Sequence, residues 1–183
     1  MLQIVVTVVP EQWDAENDEF IPPKTQTLQL EHSLVSISKW EAKWCKPFLH
    51  TNEKSLEETI DYIKCMTITQ NVKPEVYERL SQENVNQINE YIAAPMTATT
   101  FSDDKKKKGK QEIITSELIY YWMVALNIPF DPCQKWHLAR LITLVRVCQA
   151  KNEPPKKGGN KRNLAAEYAR LNAERRKALN TTG

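Results

Sequence analysis

Few side chains in this sequence have the types and spacing that catalysis or metal binding requires. The three histidines are His32, His50 and His137, and only His137 has a candidate co-ligand nearby, Cys133. We expect a turn between Cys133 and His137, and the sequence has no second pair at metal-binding spacing to complete a zinc site. The pattern therefore predicts a histidine near a helix start and a cysteine inside the core.

A group of alternating acids near the N-terminus could bind a cation. Its members are Asp14, Glu16, Asp18 and Glu19. A calcium loop would also need a glycine at its sharp turn and a distal bidentate glutamate, and both are missing at the required spacing. We therefore interpret this stretch as a polar, acidic connection between two strands.

A second acidic group, Glu57, Glu58 and Asp61, lies in a segment with helical periodicity. We expect it on an exposed helix face, where it caps and solubilises the helix. The G-x-S-x-G, Walker A and H-E-x-x-H motifs do not occur, and only 4 glycines are available for a phosphate-binding loop. The sequence predicts no catalytic, cofactor-binding or metal-binding residues, and we expect that the protein is not an enzyme.

Composition indicates a mainly helical protein with one core. The chain has 183 residues, 41% hydrophobic content and few alternating β-branched stretches. Its four cysteines (positions 45, 65, 133 and 148) include no C-x-x-C pair, which is typical of buried free thiols in a cytosolic protein. No apolar run is long enough to cross a bilayer, so no membrane association is expected.

The stretch 112–150 has the longest apolar periodicity and predicts a pair of helices. The first should begin at Thr115 and end before Pro129, because proline disfavours helical geometry in the preceding residue. The second is predicted to begin near Gln134. Trp122 and Trp136, one on each helix, should anchor the core, since tryptophan buries a large apolar area.

Two earlier helices are predicted from local signals. In the segment 32–47, a stripe of Leu34, Ile37, Trp40 and Trp44 faces the core, with Glu41 outside it. Ser55 and Glu58 form a capping box that opens a helix through Met66. Its inward residues should be Leu56, Ile60 and Ile63. Pro74 and Ser81 each mark the start of a further helix.

These elements predict an α+β fold that is mainly α. A small N-terminal β-hairpin accompanies a compact helical core and a basic C-terminal helical arm. The expected segments are an acidic hairpin (1–31), a helical subdomain (32–95), a flexible Lys-rich loop (96–111), a central helix pair (112–150), and a linker with a basic C-terminal helix (151–183).

Charge is distributed unevenly along the chain, although the net charge is only +2. Residues 1–31 hold most of their charge as acids, whereas residues 151–183 are strongly basic, and such asymmetry suggests partner surfaces or self-association. The C-terminal helix has a thin apolar stripe that needs a partner to stay folded. Its candidate partner-binding residues are Arg162, Leu164, Tyr168, Arg170, Leu171, Arg175, Arg176 and Lys177.

Three stretches resemble a family of tailed-bacteriophage proteins. They are LEHSLVSISKWEAKWCKPFL at 30–49, ITSELIYYWMVALNIPFDPCQKWHLARLITLVRV at 114–147, and the basic finish that begins at Arg162. The sequence is most similar to the tail assembly chaperones among the small phage morphogenesis proteins. The resemblance implies a helical, non-enzymatic protein that binds the tape-measure protein and keeps it soluble in the host bacterial cytoplasm until the tail tube polymerises.

Two alternatives remain open at the level of the sequence. The acidic hairpin and basic arm also suit a structural virion protein, such as a minor capsid, head–tail connector or tail component, whose arms contact tail or capsid subunits. Such a protein would stay in the virion. A weaker alternative is a nucleic-acid-binding accessory protein that uses Lys105–Lys110 and the C-terminal helix to bind phosphates.

Overall fold

A computed structural model of the chain describes residues 1–51, 53–101, 112–152, 168–172 and 174–176. The chain divides into two compact units, Met1–Gln149 and Ala150–Gly183. The first unit holds the strands and the core, while the described part of the second includes helical residues at 168–172 and 174–176. The predicted segment boundaries within the first unit stay predictions.

The described chain begins with strands and continues with helices. The strands are β1 (Leu2–Val9), β2 (Gln12–Asp14), β3 (Glu19–Ile21) and β4 (Lys24–Leu30). The helices are α1 (Leu34–Trp44), α2 (Leu56–Met66), α3 (Glu75–Glu78), α4 (Gln82–Ala93), α5 (Ser116–Ala125), α6 (Phe130–Cys133) and α7 (Leu138–Asn152). The α+β, mainly helical fold class predicted from the sequence is confirmed. No described helix is long and apolar enough to span a membrane.

The hairpin packs one face onto the helices. β1 and β4 are antiparallel, and their alternating residues Ile4, Val6, Leu28 and Leu30 are buried, as expected for a sheet with one covered face. The segment between them differs from prediction. The expected acidic connection contains a second antiparallel ladder of β2 with β3, because a turn stabilised by the Asp14 side chain brings two aromatic-bearing segments together.

Local capping signals set the starts of three helices. Ser33, Ser55 and Ser81 each accept a hydrogen bond from the backbone N–H three residues later and form capping boxes before α1, α2 and α4. The starts predicted at Ser55 and Ser81 are therefore confirmed. The predicted stripe of α1 is also confirmed, with Leu34, Ile37 and Trp40 buried and Trp44 half-buried.

The face assigned to α2 was partly wrong. Leu56 is 77% exposed, whereas Glu58 and Asp61, predicted on an exposed face, are buried. The reason is the packing of α2 on α1, where Trp40 and Trp44 donate indole N–H bonds to the Glu58 carbonyl and the Asp61 carboxylate. The acidic residues of α2 are therefore buried at the interface with α1, where they have polar partners.

Cys45 also differs from the prediction of four buried thiols. It is exposed because it ends α1 in the left-handed conformation, with a φ of 52°. Cys133 is buried, and Cys65 and Cys148 are intermediate. All four are free thiols, as predicted.

The second helix of the central pair begins later than predicted, at Leu138 instead of near Gln134. The Gln134 carbonyl accepts the N–H of Val35, and the N–H of Leu138 donates to the His32 carbonyl. These bonds hold residues 134–138 against the chain entering α1, so the helix begins only at Leu138. At its other end α7 continues to Asn152, past the predicted start of the linker at 151.

Candidate functional site

A partly open cavity of about 720 Å³ lies within the first unit. Its walls come from the end of α4, the following segment 95–101, α5 and α7. The apolar side chains that line it include Phe48, Ile92, Trp122, Leu138, Ile142 and Val145. A concave, mainly apolar surface of this size can accept the side chains of a ligand or of a partner helix.

Polar groups are few on this surface. His32 lies among the lining residues, and threonine side chains, Arg146 and Gln149 contribute the rest. Arg146 is exposed, whereas His32 is only 4% exposed. The cavity therefore combines an apolar wall, one buried imidazole and one solvated cation.

His32 belongs to a buried pair of histidines. Its ring meets that of His137 edge to face, with centroids 5.1 Å apart, and its Nδ1 atom forms a hydrogen bond with the Tyr62 hydroxyl. The pair forms because Ser33 and His137 are joined by an isolated antiparallel β-bridge. The segments that lead into α1 and α7 are far apart in sequence but lie side by side in the fold.

The hydrogen bonds of His137 determine its tautomer. The backbone N–H of Ala139 donates to Nδ1 at 3.3 Å, so that nitrogen must carry a lone pair. The other nitrogen, Nε2, lies 3.0 Å from the Tyr91 carbonyl and donates its proton there. His137 is therefore neutral and held at both ring nitrogens, as suits a structural imidazole.

Burial keeps both imidazoles uncharged near neutral pH. It lowers the pKa of His32 to about 4, with a smaller contribution from His137. Burial also lowers the pKa of His137, although the bond to Tyr91 opposes it. A base with a pKa of about 4 accepts protons poorly at pH 7, which favours a packing role for His32 over general-base catalysis.

Glu41 is a buried carboxylate that sequence periodicity placed outside the core. Its two oxygens accept the backbone N–H groups of Phe48 at 2.8 Å and Ser116 at 2.7 Å. Ser116 is the first residue of α5, so the carboxylate lies at the positive end of that helix. Through these bonds Glu41 positions α5, and with it Trp122 in the cavity wall.

The acidic residues buried between α1 and α2 are paired. Lys46 and the backbone N–H of Ser55 lower the pKa of Glu58. Burial raises the pKa of Asp61, but hydrogen bonds from Lys43 and Trp44 outweigh it and lower the pKa overall. These carboxylates are ionised, and their oxygens accept hydrogen bonds that hold α1 and α2 together.

The predicted partner-binding residues lie in the second unit, and part of that set is described. Tyr168 is 61% and Leu171 is 44% exposed, and Arg170 forms a 3.4 Å ion pair with Glu174. Arg175 and Arg176 are also exposed. Arg162, Leu164 and Lys177 lie outside the described residues, as does the part of the Lys-rich loop from 102 to 111.

The tip of the hairpin presents an apolar surface that sequence analysis missed. Trp13 of β2 lies directly opposite Phe20 of β3, and their rings meet edge to face with centroids 4.7 Å apart. The two rings are 51% and 66% exposed. The available signal was the presence of Trp13 and Phe20 at the two ends of the acidic stretch, which we interpreted from its acidic residues alone.

Acidic residues are the sequence neighbours of this aromatic pair. Hydrogen bonds from the Asn17 side chain and the Glu16 backbone lower the pKa of Asp14. Across the described residues, no group of three His, Cys, Asp or Glu side chains is arranged to hold a metal ion. The charge at the tip is therefore negative and available to a cationic partner.

Comparison with known proteins identifies no relative of this chain. No protein-family profile matches the sequence, and neither a curated protein nor a solved structure matches it.

Proposed function

We propose that the chain is a non-enzymatic bacteriophage morphogenesis protein, a tail assembly chaperone that binds the tape-measure protein. The proposal starts from the similarity of stretches 30–49 and 114–147 to that family. The structural observation that supports it is the cavity of about 720 Å³ between α4, α5 and α7. A chaperone for a long helical client needs an exposed apolar groove that shields apolar side chains from water.

The shape and polarity of the cavity suit the apolar face of an amphipathic helix. Ile92, Trp122 and Ile142 supply apolar wall from three different helices. A client helix with apolar residues at intervals of three and four would place successive side chains against this wall. Arg146 at the cavity would then pair with an acidic residue beside the apolar stripe.

Co-expression with the tape-measure protein of the same phage tests the proposal. The client should be soluble and co-purify with the wild-type chain, but not with Ile142→Glu, because a carboxylate in the cavity opposes apolar binding. Val124→Glu is the matched control, since Val124 is 62% exposed and does not line the cavity.

A second cavity variant keeps the test conclusive if Ile142→Glu does not fold. Ala139 lines the cavity, and Ala139→Phe should fill it with an apolar group and also reduce client capture. Both variants must show the thermal unfolding of a folded chain. If a folded cavity variant captures the client as well as Val124→Glu does, the cavity is not the client site. If the wild-type chain does not solubilise the client, the chaperone function is wrong.

A structural virion component is the second candidate, and the exposed Trp13–Phe20 pair favours it. Aromatic side chains at the end of a projecting hairpin are suited to insertion into a neighbouring subunit. Mass spectrometry of purified particles distinguishes the two functions. A chaperone leaves before the particle is complete, whereas a structural protein is present at stoichiometric amounts.

A further inference from the structure

We propose that the hairpin tip of one copy of this chain binds the basic C-terminal helix of a second copy. The tip surface is defined here as Trp13 and Phe20 with the acidic side chains of residues 11–21. The arm surface is defined as Tyr168, Leu171 and Arg175. The proposal concerns self-association, and it stands independently of any client in the cavity.

The tip surface combines exposed aromatic side chains with a negatively charged stretch of chain. Trp13 and Phe20 stack on one face of the β2–β3 ladder and remain more than half exposed. Within 11–21 the charged residues are all acidic: Glu11, Asp14, Glu16, Asp18 and Glu19. Asp14 and Glu19 are direct cross-strand neighbours on the opposite face of the ladder, and like charges in this position repel unless a cation lies close.

The arm surface complements the tip surface in both apolar character and charge. Tyr168, Leu171 and Arg175 follow at intervals of three and four residues, so a helix places them on one face. Tyr168 and Leu171 are exposed and apolar enough to cover the aromatic pair. Arg175 is exposed beside them, and its guanidinium can stack on an indole ring while attracting the carboxylates.

A second copy is the occupant that these features favour. Both surfaces belong to the same chain, so each copy carries one of each, and their opposite charges would steer two copies together. Because the two surfaces differ, the contact is heterologous, and repeated contacts produce rings or head-to-tail chains. Electrostatic attraction should make this association weaken as the salt concentration rises.

Sedimentation of the full-length chain over a range of concentrations tests the proposal. The wild type should associate, and Trp13→Ala should raise the dissociation constant about tenfold or more, as loss of a central aromatic contact does. Arg175→Glu should do the same. Tyr121→Ala is the matched control because Tyr121 is also an exposed aromatic residue, at 64%, but lies on α5.

Mixing the two variants identifies the partner surface. Trp13→Ala and Arg175→Glu should each sediment as monomers, yet their equimolar mixture should form a heterodimer through the one intact tip and the one intact arm. A mixture that stays monomeric overturns the contact between copies. So does association of either variant alone as tight as that of the wild type, which would indicate tip–tip or arm–arm contact, and so does a wild type that stays monomeric. Unchanged thermal unfolding of both variants ensures that folded chains are compared.

Discussion

Glu41 shows how one buried carboxylate can connect distant parts of a chain. It is 7% exposed, and its oxygens bind backbone N–H groups that precede α2 and begin α5. Both donors are buried, so removal of the acceptor would leave them without hydrogen bonds. Because α5 forms part of the cavity wall, the same contact supports the proposed binding site.

We predict that Glu41→Gln destabilises the protein by about 2–4 kcal/mol, because the neutral amide offers one acceptor oxygen to two buried donors. Chemical denaturation of the variant measures this loss. Glu90→Gln serves as the control, since Glu90 is exposed on α4 and its replacement should change the free energy of unfolding by less than about 0.5 kcal/mol. Equal stability of the two variants would show that the Glu41 bonds contribute little.

The buried histidines predict a specific dependence of stability on pH. The pKa of His32 is about 4 in the folded chain and close to 6.5 when unfolded, so only the unfolded chain takes up this proton between those values. Stability from His32 is complete above pH 6.5 and falls as the pH falls towards 4, by about 3 kcal/mol in total. His137 shifts in the same direction and adds to the slope.

We predict that His32→Asn, which keeps a polar group near Tyr62, flattens the decline of stability between pH 6.5 and 4. Denaturation midpoints at several pH values measure the slope. His50→Asn is the control because His50 is exposed, and it should leave the slope unchanged. An unaltered slope in His32→Asn would mean that other groups govern the acid sensitivity.

At the scale of elements, the parts that were predictable are those whose causes are local. Ser55 with Glu58, and Ser81 with its downstream helix, contain their own start signals within four residues. The buried stripe of α1 follows from periodicity alone. These features depend on neighbours in sequence, so a single sequence is enough to find them.

The features that were missed depend on pairing between distant segments. The start of α7 is set by bonds between residues 134–138 and the entry to α1, and the burial of Asp61 is set by Trp44 and Lys43 on another helix. The cavity and the His32–His137 pair arise from the same long-range pairing. No spacing within the sequence signals that these segments meet.

At the scale of the whole molecule, charge is separated along the chain. The acids of the hairpin tip lie in the first unit, while the exposed Arg175 and Arg176 belong to the second. Among the residues that the structure describes, the buried apolar core runs from Ile4 to Val145, inside the first unit. Folding and the proposed self-association can therefore be tested separately.

We predict that deletion of residues 154–183 leaves the core and the cavity intact but abolishes self-association. The buried core is untouched by this deletion, so the melting temperature should change by no more than about 2 °C. Circular dichroism measures folding and sedimentation measures self-association. Co-purification with the tape-measure protein should show that the cavity still captures the client. A full-length chain with Arg175→Glu and Arg176→Glu is the control for length, and it should fold normally and lose association. If the truncated chain still self-associates, or if it fails to fold, the C-terminal helix is not an interaction element.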